Sequence, residues 1–185
     1  MPPKPELQSA RLAADDQIAS NLNGPARSAP AVPLVYAMPP MPRLEIPVQG
    51  VQARQMSDTF TQSRDGGARR HDAIDIIAPS GTPVLAAADG EVERLFLSRA
   101  GGNTIYVRSP DRRVIYYYAH LESYAPGLAE KQRVRAGQVI GAVGVSGNAD
   151  PAVPHLHFAI MVTTPEAKWW NAAMAVNPYP LLTRR

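Results

Sequence analysis

From about Leu44 the chain is a succession of short β-branched and aromatic runs, each closed by a tight-turn signal. That pattern restricts it to a fold of many short strands. The runs cover residues 73–77, 83–88, 90–97, 103–109, 114–119, 139–143 and 155–162. Between them stand Pro79-Ser80-Gly81, Asp89-Gly90, Gly101-Gly102, Ser109-Pro110-Asp111 and Gly147-Asn148. Glycine, proline and asparagine at such points set turn geometry. With little helix between them, these strands predict a mainly β domain, an antiparallel β-sheet or small β-sandwich. The tail from Trp169-Trp170 to Asn177-Pro178-Tyr179-Pro180 reads as an irregular closing segment.

The start of the chain reads differently. Nine of the 19 prolines fall within residues 1–43. Residues 6–23 offer a short helix carrying Leu7, Leu12, Ile18 and Leu22. Residues 24–43, rich in proline and alanine, favour an extended linker. The expected organisation is a flexible proline-rich arm over 1–43 and one folded domain over 44–185. A chain of 185 residues is long enough for one sizeable core.

Composition closes several routes. There is no cysteine, which excludes disulfides, cysteine zinc clusters, thiol nucleophiles and a lipoprotein anchor. No run of about 20 apolar residues exists to span a membrane. Met1-Pro2-Pro3-Lys4 does not open a signal peptide, so work outside the cytoplasm would require an export segment absent from this sequence. A net charge of +3 suits an acidic partner such as anionic wall polymer. The basic residues are scattered without interleaved aromatics, so nucleic acid is not an expected partner. A monomer is expected.

The chemistry lies in the four histidines, His71, His120, His155 and His157. Each falls in or beside a strand-like run, and none in the arm or the tail. Imidazole and carboxylate are the usual ligands of a catalytic zinc, which takes three protein groups and leaves one position open. His71 opens His-Asp-Ala-Ile-Asp, ending at Asp75; on a strand, residues four apart share a face. Asp75 stands between apolar flanks, where a carboxylate needs a positive partner. His155 and His157 point the same way from one strand, with Leu156 and Phe158 on the other side. His120 follows three tyrosines, of which Tyr116 and Tyr118 share a face, either to line a groove or to pack. Singly each motif is ordinary; together they supply one metal site and spare histidines for proton transfer.

From about Pro47 to Leu182 the sequence resembles the lysostaphin-type (LytM-like) zinc endopeptidases of bacterial peptidoglycan. The resemblance rests on Ser57-Asp58-Thr59-Phe60, Arg69-Arg70-His71 through Asp75, Ala78-Pro79-Ser80-Gly81-Thr82-Pro83-Val84 and Ala87-Ala88-Asp89-Gly90. It continues through Gly101-Gly102-Asn103, Tyr118-Ala119-His120-Leu121, Gly137-Gln138-Val139-Ile140-Gly141, Gly147-Asn148-Ala149 and Pro154-His155-Leu156-His157-Phe158. Ala73 and Thr61 stand where the family commonly has glycine, and Val145-Ser146 replaces a common Asn-Thr.

The resemblance implies a LytM (duplicated hybrid motif-like) fold and one Zn2+ per chain, held by His71, Asp75 and His157. It implies His120 and His155 as the catalytic histidines. The activity implied is hydrolysis, by a metal-activated water, of peptide bonds in the stem or cross-links of peptidoglycan. The implied location is the cell envelope, periplasm or exterior. The alternative is a non-catalytic module of this fold that binds cell wall and activates a separate amidase. Such relatives typically lose zinc ligands, whereas all five polar residues are present here. A closed structural zinc site is a third reading, disfavoured because His155 and His157 are awkwardly spaced to bind one ion together.

Overall fold

Alternation along the longest strands sets the architecture. In the computed structural model, which describes residues 38–64 and 69–184, almost all regular structure is antiparallel β. The helix expected over 6–23, and arm residues 1–37, lie outside the described residues. A small hairpin pairs β1 (Ser63–Arg64) with β2 (Arg69–Arg70). The other strands are β3 (Ile74–Ile77), β4 (Pro83–Leu85), β5 (Gly90–Ser98), β6 (Gly102–Arg108), β7 (Val114–Tyr124), β8 (Arg133–Val134), β9 (Val139–Val143), β10 (His155–Val162) and β11 (Met174–Val176). They join one sheet along β11-β10-β7-β6-β5-β8, with β3 on β10 and β9 bridging β4 and β7. Among the described residues, helix is limited to a 3-10 turn at Ala53–Gln55 and α1 (Tyr179–Thr183). No described helix is long and apolar enough to cross a membrane.

One face of the sheet carries the main core. Ile74, Ile76, Ile105, Val107, Tyr116, Tyr118, Leu156, Phe158 and Ile160 are buried there with Val84, Val92 and Ile140. The intervening residues Ala73, Tyr106, Ile115, Tyr117, Ala119, Ala159 and Met161 form a second cluster with Phe96 and Trp169. This is the period of two expected of a pleated sheet buried on both sides. Burial of so many apolar side chains, each stabilising by roughly 1.5–3 kcal/mol, is the main force holding the fold.

The segment carrying Trp169 is tied down by a buried cation. Arg108, 1% exposed, forms a bidentate pair with Glu93 and donates to the carbonyl oxygens of Ala167 and Arg112. A buried guanidinium is tolerated only with this degree of pairing. At the N-terminal edge, Pro39 and Leu44 are buried and Met41 packs against the main core.

Candidate metal centre

The centre is built on the sheet face that carries the second cluster, at its open end. His157 in β10 lies directly opposite Asp75 in β3 and Ala119 in β7. Cross-strand partners have Cβ atoms about 4.5–5.5 Å apart, so the register alone brings Asp75 and His157 together. His155 shares their face, while Leu156 and Phe158 are fully buried on the other, as the alternation predicts.

His71 and His120 arrive by irregular backbone. His71 precedes β3, and the chain reaches the strand through Asp72 at φ 53°. The expected shared strand face for His71 and Asp75 is therefore replaced by a tight loop. His120 sits within β7 at φ 61°, and the β6–β7 register shifts between Asn103 and Ile105. Tyr116 and Tyr118 face the main core, and strict alternation would send His120 after them. Instead Leu121 enters that core. The bulge resets the parity and frees His120 to turn toward the metal face. Tyr116 and Tyr118 are fully buried and do not line the groove.

Three donor atoms converge. His71 Nε2 lies 3.0 Å from Asp75 Oδ1 and 3.0 Å from His157 Nδ1, and the latter lies 3.2 Å from Asp75 Oδ1. A tetrahedral zinc about 2.0–2.1 Å from each ligand separates its donors by about 3.3 Å, close to this triangle. His71 Nδ1 lies 3.0 Å from the Thr59 carbonyl oxygen. In the neutral ring that contact takes its one proton and leaves Nε2 a bare lone pair facing its neighbours. A cation at the centre resolves this crowding, and the donor set is one that zinc accepts.

The surroundings fix these groups. Thr59 Oγ1 accepts from the Asp75 backbone N–H at 3.0 Å, so one residue orients two members of the triangle. His120 Nδ1 donates to the Ser146 carbonyl at 2.8 Å, and His155 Nδ1 to the Val153 carbonyl at 2.8 Å. Each neutral ring is then left with a bare Nε2. His155 Nε2 is 3.8 Å from Asp75 Oδ1, and the His120 ring centroid is 5.0 Å from that of His155 and 5.6 Å from that of His157.

Charge follows from this geometry. Burial pushes the Asp75 carboxyl up, but the adjoining ring nitrogens of His157 and His71 outweigh it and hold the group well below the usual carboxylate range. Burial pushes the His157 imidazole down against the pull of Asp75. Burial, aided by the nearby His157, lowers His120 to about 4. The carboxylate is thus ionised and these two imidazoles are neutral near pH 7, the forms that ligate a metal or accept a proton.

All five polar residues singled out from the sequence meet in this one place. They border a groove of about 660 Å³ that Gln55, Ser57, Arg70, Asn148, Asp150 and Val153 also line. Sequence reasoning missed Thr59 and Tyr117 as parts of the site. Thr59 lay within a quoted motif without a role. Tyr117 stands edge-on to His157, ring centroids 6.0 Å apart, and the run of three tyrosines hides which of them faces the candidate centre.

The family model for peptidase family M23 matches residues 69–177, more than half of the chain. The chain is 37% identical over 122 residues to the L-Ala--D-Glu endopeptidase of Bacillus subtilis (strain 168), covering 63% of this chain and 36% of that protein. It is 35% identical over 113 residues to peptidoglycan DD-endopeptidase ShyC of Vibrio cholerae, covering 59% of this chain and 25% of that protein. The chain thus spans about a third or less of the length of these curated relatives. The catalytic domain of the antimicrobial peptidase lysostaphin from Staphylococcus simulans superposes with a TM-score of 0.58 at 28% identity, covering 71% of this chain and 96% of that domain.

Proposed function

The chain belongs to peptidase family M23, and on that premise we propose that it is a zinc-dependent endopeptidase hydrolysing peptide bonds in the stem or cross-links of bacterial peptidoglycan. The relatives named for peptidoglycan and for an L-Ala--D-Glu bond support the substrate class. The observation that carries the reading is the donor triangle of His71, Asp75 and His157, with edges of 3.0–3.2 Å, set beside two histidines and open to a groove. The cell envelope or exterior follows as the place of action.

In this proposal His71 Nε2, Asp75 Oδ1 and His157 Nδ1 hold the ion. When bound, zinc supplies Lewis acidity that polarises the substrate carbonyl and makes water reactive near neutral pH. The protein supplies orientation and proton transfer. Thr59 keeps His71 and Asp75 in place. His120 and His155 each turn a bare Nε2 toward this place, so either can take the proton of the attacking water, and the ring that has taken it can then donate to the oxyanion that develops on the carbonyl. That proton then passes to the leaving amine, so one water is consumed per bond cut. The groove accommodates an extended peptide across the sheet end.

The presence of all five polar side chains weighs against the non-catalytic module. Elemental analysis of the purified protein tests the metal assignment. One zinc per chain is expected, and His71→Ala, Asp75→Ala or His157→Ala should each abolish it. Full zinc in Asp75→Ala would overturn the ligand set.

A further inference from the structure

A small recess opens from the histidine cluster on the side away from the main groove. It encloses about 130 Å³ and shares His71, His120, His157 and Asn148 with the groove, so the two meet at the reacting centre. Its walls follow from the register. Ala119 lies opposite His157 across β7, Ala159 is two residues further along β10, and Ala175 of β11 lies opposite Met161. With Ala173, four alanines stand on the face that also presents the metal ligand. Larger residues there would close the space. Met161 and Tyr117 also line it. Asp72 lies within 3.5 Å of Arg70 in an ion pair.

We infer that this recess is the side-chain pocket for the residue flanking the cut bond, and that it selects a short aliphatic side chain. The inference rests on the peptidase reading. An apolar cavity of about 150 Å³ holds a benzene-sized group, so this one admits a methyl up to an isobutyl group and excludes an indole. An acidic side chain would lose its water against the alanines and would meet the Asp72 carboxylate, which also lines the recess. Burying a methylene here changes kcat/KM about fourfold, and a misfit costs about 10–200-fold. Ala119, Ala159, Met161, Ala173 and Ala175 are thereby specificity-determining residues that act by their size.

The test uses the full zinc-loaded chain and two series of blocked peptides, carrying glycine, alanine, leucine or tryptophan on either side of one bond. In one series alanine and leucine should exceed tryptophan at least tenfold in kcat/KM. Ala173→Leu, which fills the recess from its half-buried rim, should lower the leucine-to-glycine ratio about tenfold; Ala159→Val should act in the same direction. In parallel, the methyl NMR signals of Met161, Ala159 and Ala173 should shift on titration with the alanine peptide and not with the tryptophan peptide. Cleavage with the same ratios in wild type and both variants would overturn the pocket and leave the peptidase reading standing. Selective methyl shifts without cleavage of any peptide would support the pocket and count against the peptidase.

Discussion

Thr59 meets both His71 and Asp75, accepting from one through its carbonyl and from the backbone of the other through its hydroxyl. Thr59→Val keeps the shape and removes only the hydroxyl, so zinc affinity should fall about 10–100-fold in competition with a chelator. Unchanged affinity would remove Thr59 from the support of the centre. His120 and His155 present bare Nε2 atoms and are not part of the donor triangle. His120→Ala and His155→Ala should therefore keep the zinc and lose on the order of 100-fold or more in rate. Zinc loss in either variant would make that histidine a ligand. His120 also sets a pH dependence in the metal-free protein. Its folded value of about 4 lies below the ordinary 6.5, so the unfolded chain binds the proton first. Stability is then full above about 6.5 and declines as pH falls toward about 4, and melts of His120→Gln should show a shallower decline over that window. At this scale the gathering of the four histidines with Asp75 was legible from the set and not from any one motif, because every histidine falls in or beside a strand-like run. The tyrosines were not, since three in succession alternate between core and site, and only the packed sheet decides which is which.

Backbone irregularities at the level of elements aim the site. The β7 bulge turns His120 out of the core, and the loop through Gly147 delivers the Ser146 carbonyl that holds its ring. Gly147 has φ 75°, and a Cβ there would lie 2.3 Å from the Ala100 carbonyl oxygen and 2.4 Å from the Gly102 nitrogen. Backbone cannot swing aside as a flexible side chain can. Gly147→Ala should therefore cost more than the ~1–2 kcal/mol of a left-handed residue, read by chemical denaturation, and should lower activity through His120. Stability equal to wild type would contradict this packing. The strands 139–143 and 155–162 were legible to their ends because glycine and proline bracket apolar runs. β7 runs on to Tyr124, five residues past the sequence reading, because the bulge interrupts its alternation without ending its pairing. The two-residue strands β1, β2 and β8 are too short to show any period, and β11 is held by its neighbour β10.

For the whole molecule, the two faces of one sheet divide the work: a large core stabilises it, and the opposite face carries the candidate metal centre at one end and an aromatic cluster at the other. Arg108 and Glu93 fasten the segment that covers that cluster. Glu93→Ala would strand a buried guanidinium and should destabilise by about 3–5 kcal/mol in denaturant, whereas a neutral outcome would make the pair incidental. Pro39 and Met41 add to the core edge, so a chain beginning at Leu44 should melt below one beginning at Met38. The mainly β class was legible from periodicity and turns; which strands become neighbours was not, because β3, β7 and β11 meet β10 from distant parts of the chain. The central claim is that these parts cut peptide bonds of peptidoglycan, and mass spectrometry of purified peptidoglycan digested by the zinc-loaded protein tests it most directly. The predicted result is loss of cross-linked dimers or shortening of stems, with new free amino groups and no new reducing sugar ends, and no cutting by Asp75→Ala. Peptidoglycan of several types left uncut by zinc-loaded protein that nevertheless stimulates a separate amidase would contradict it.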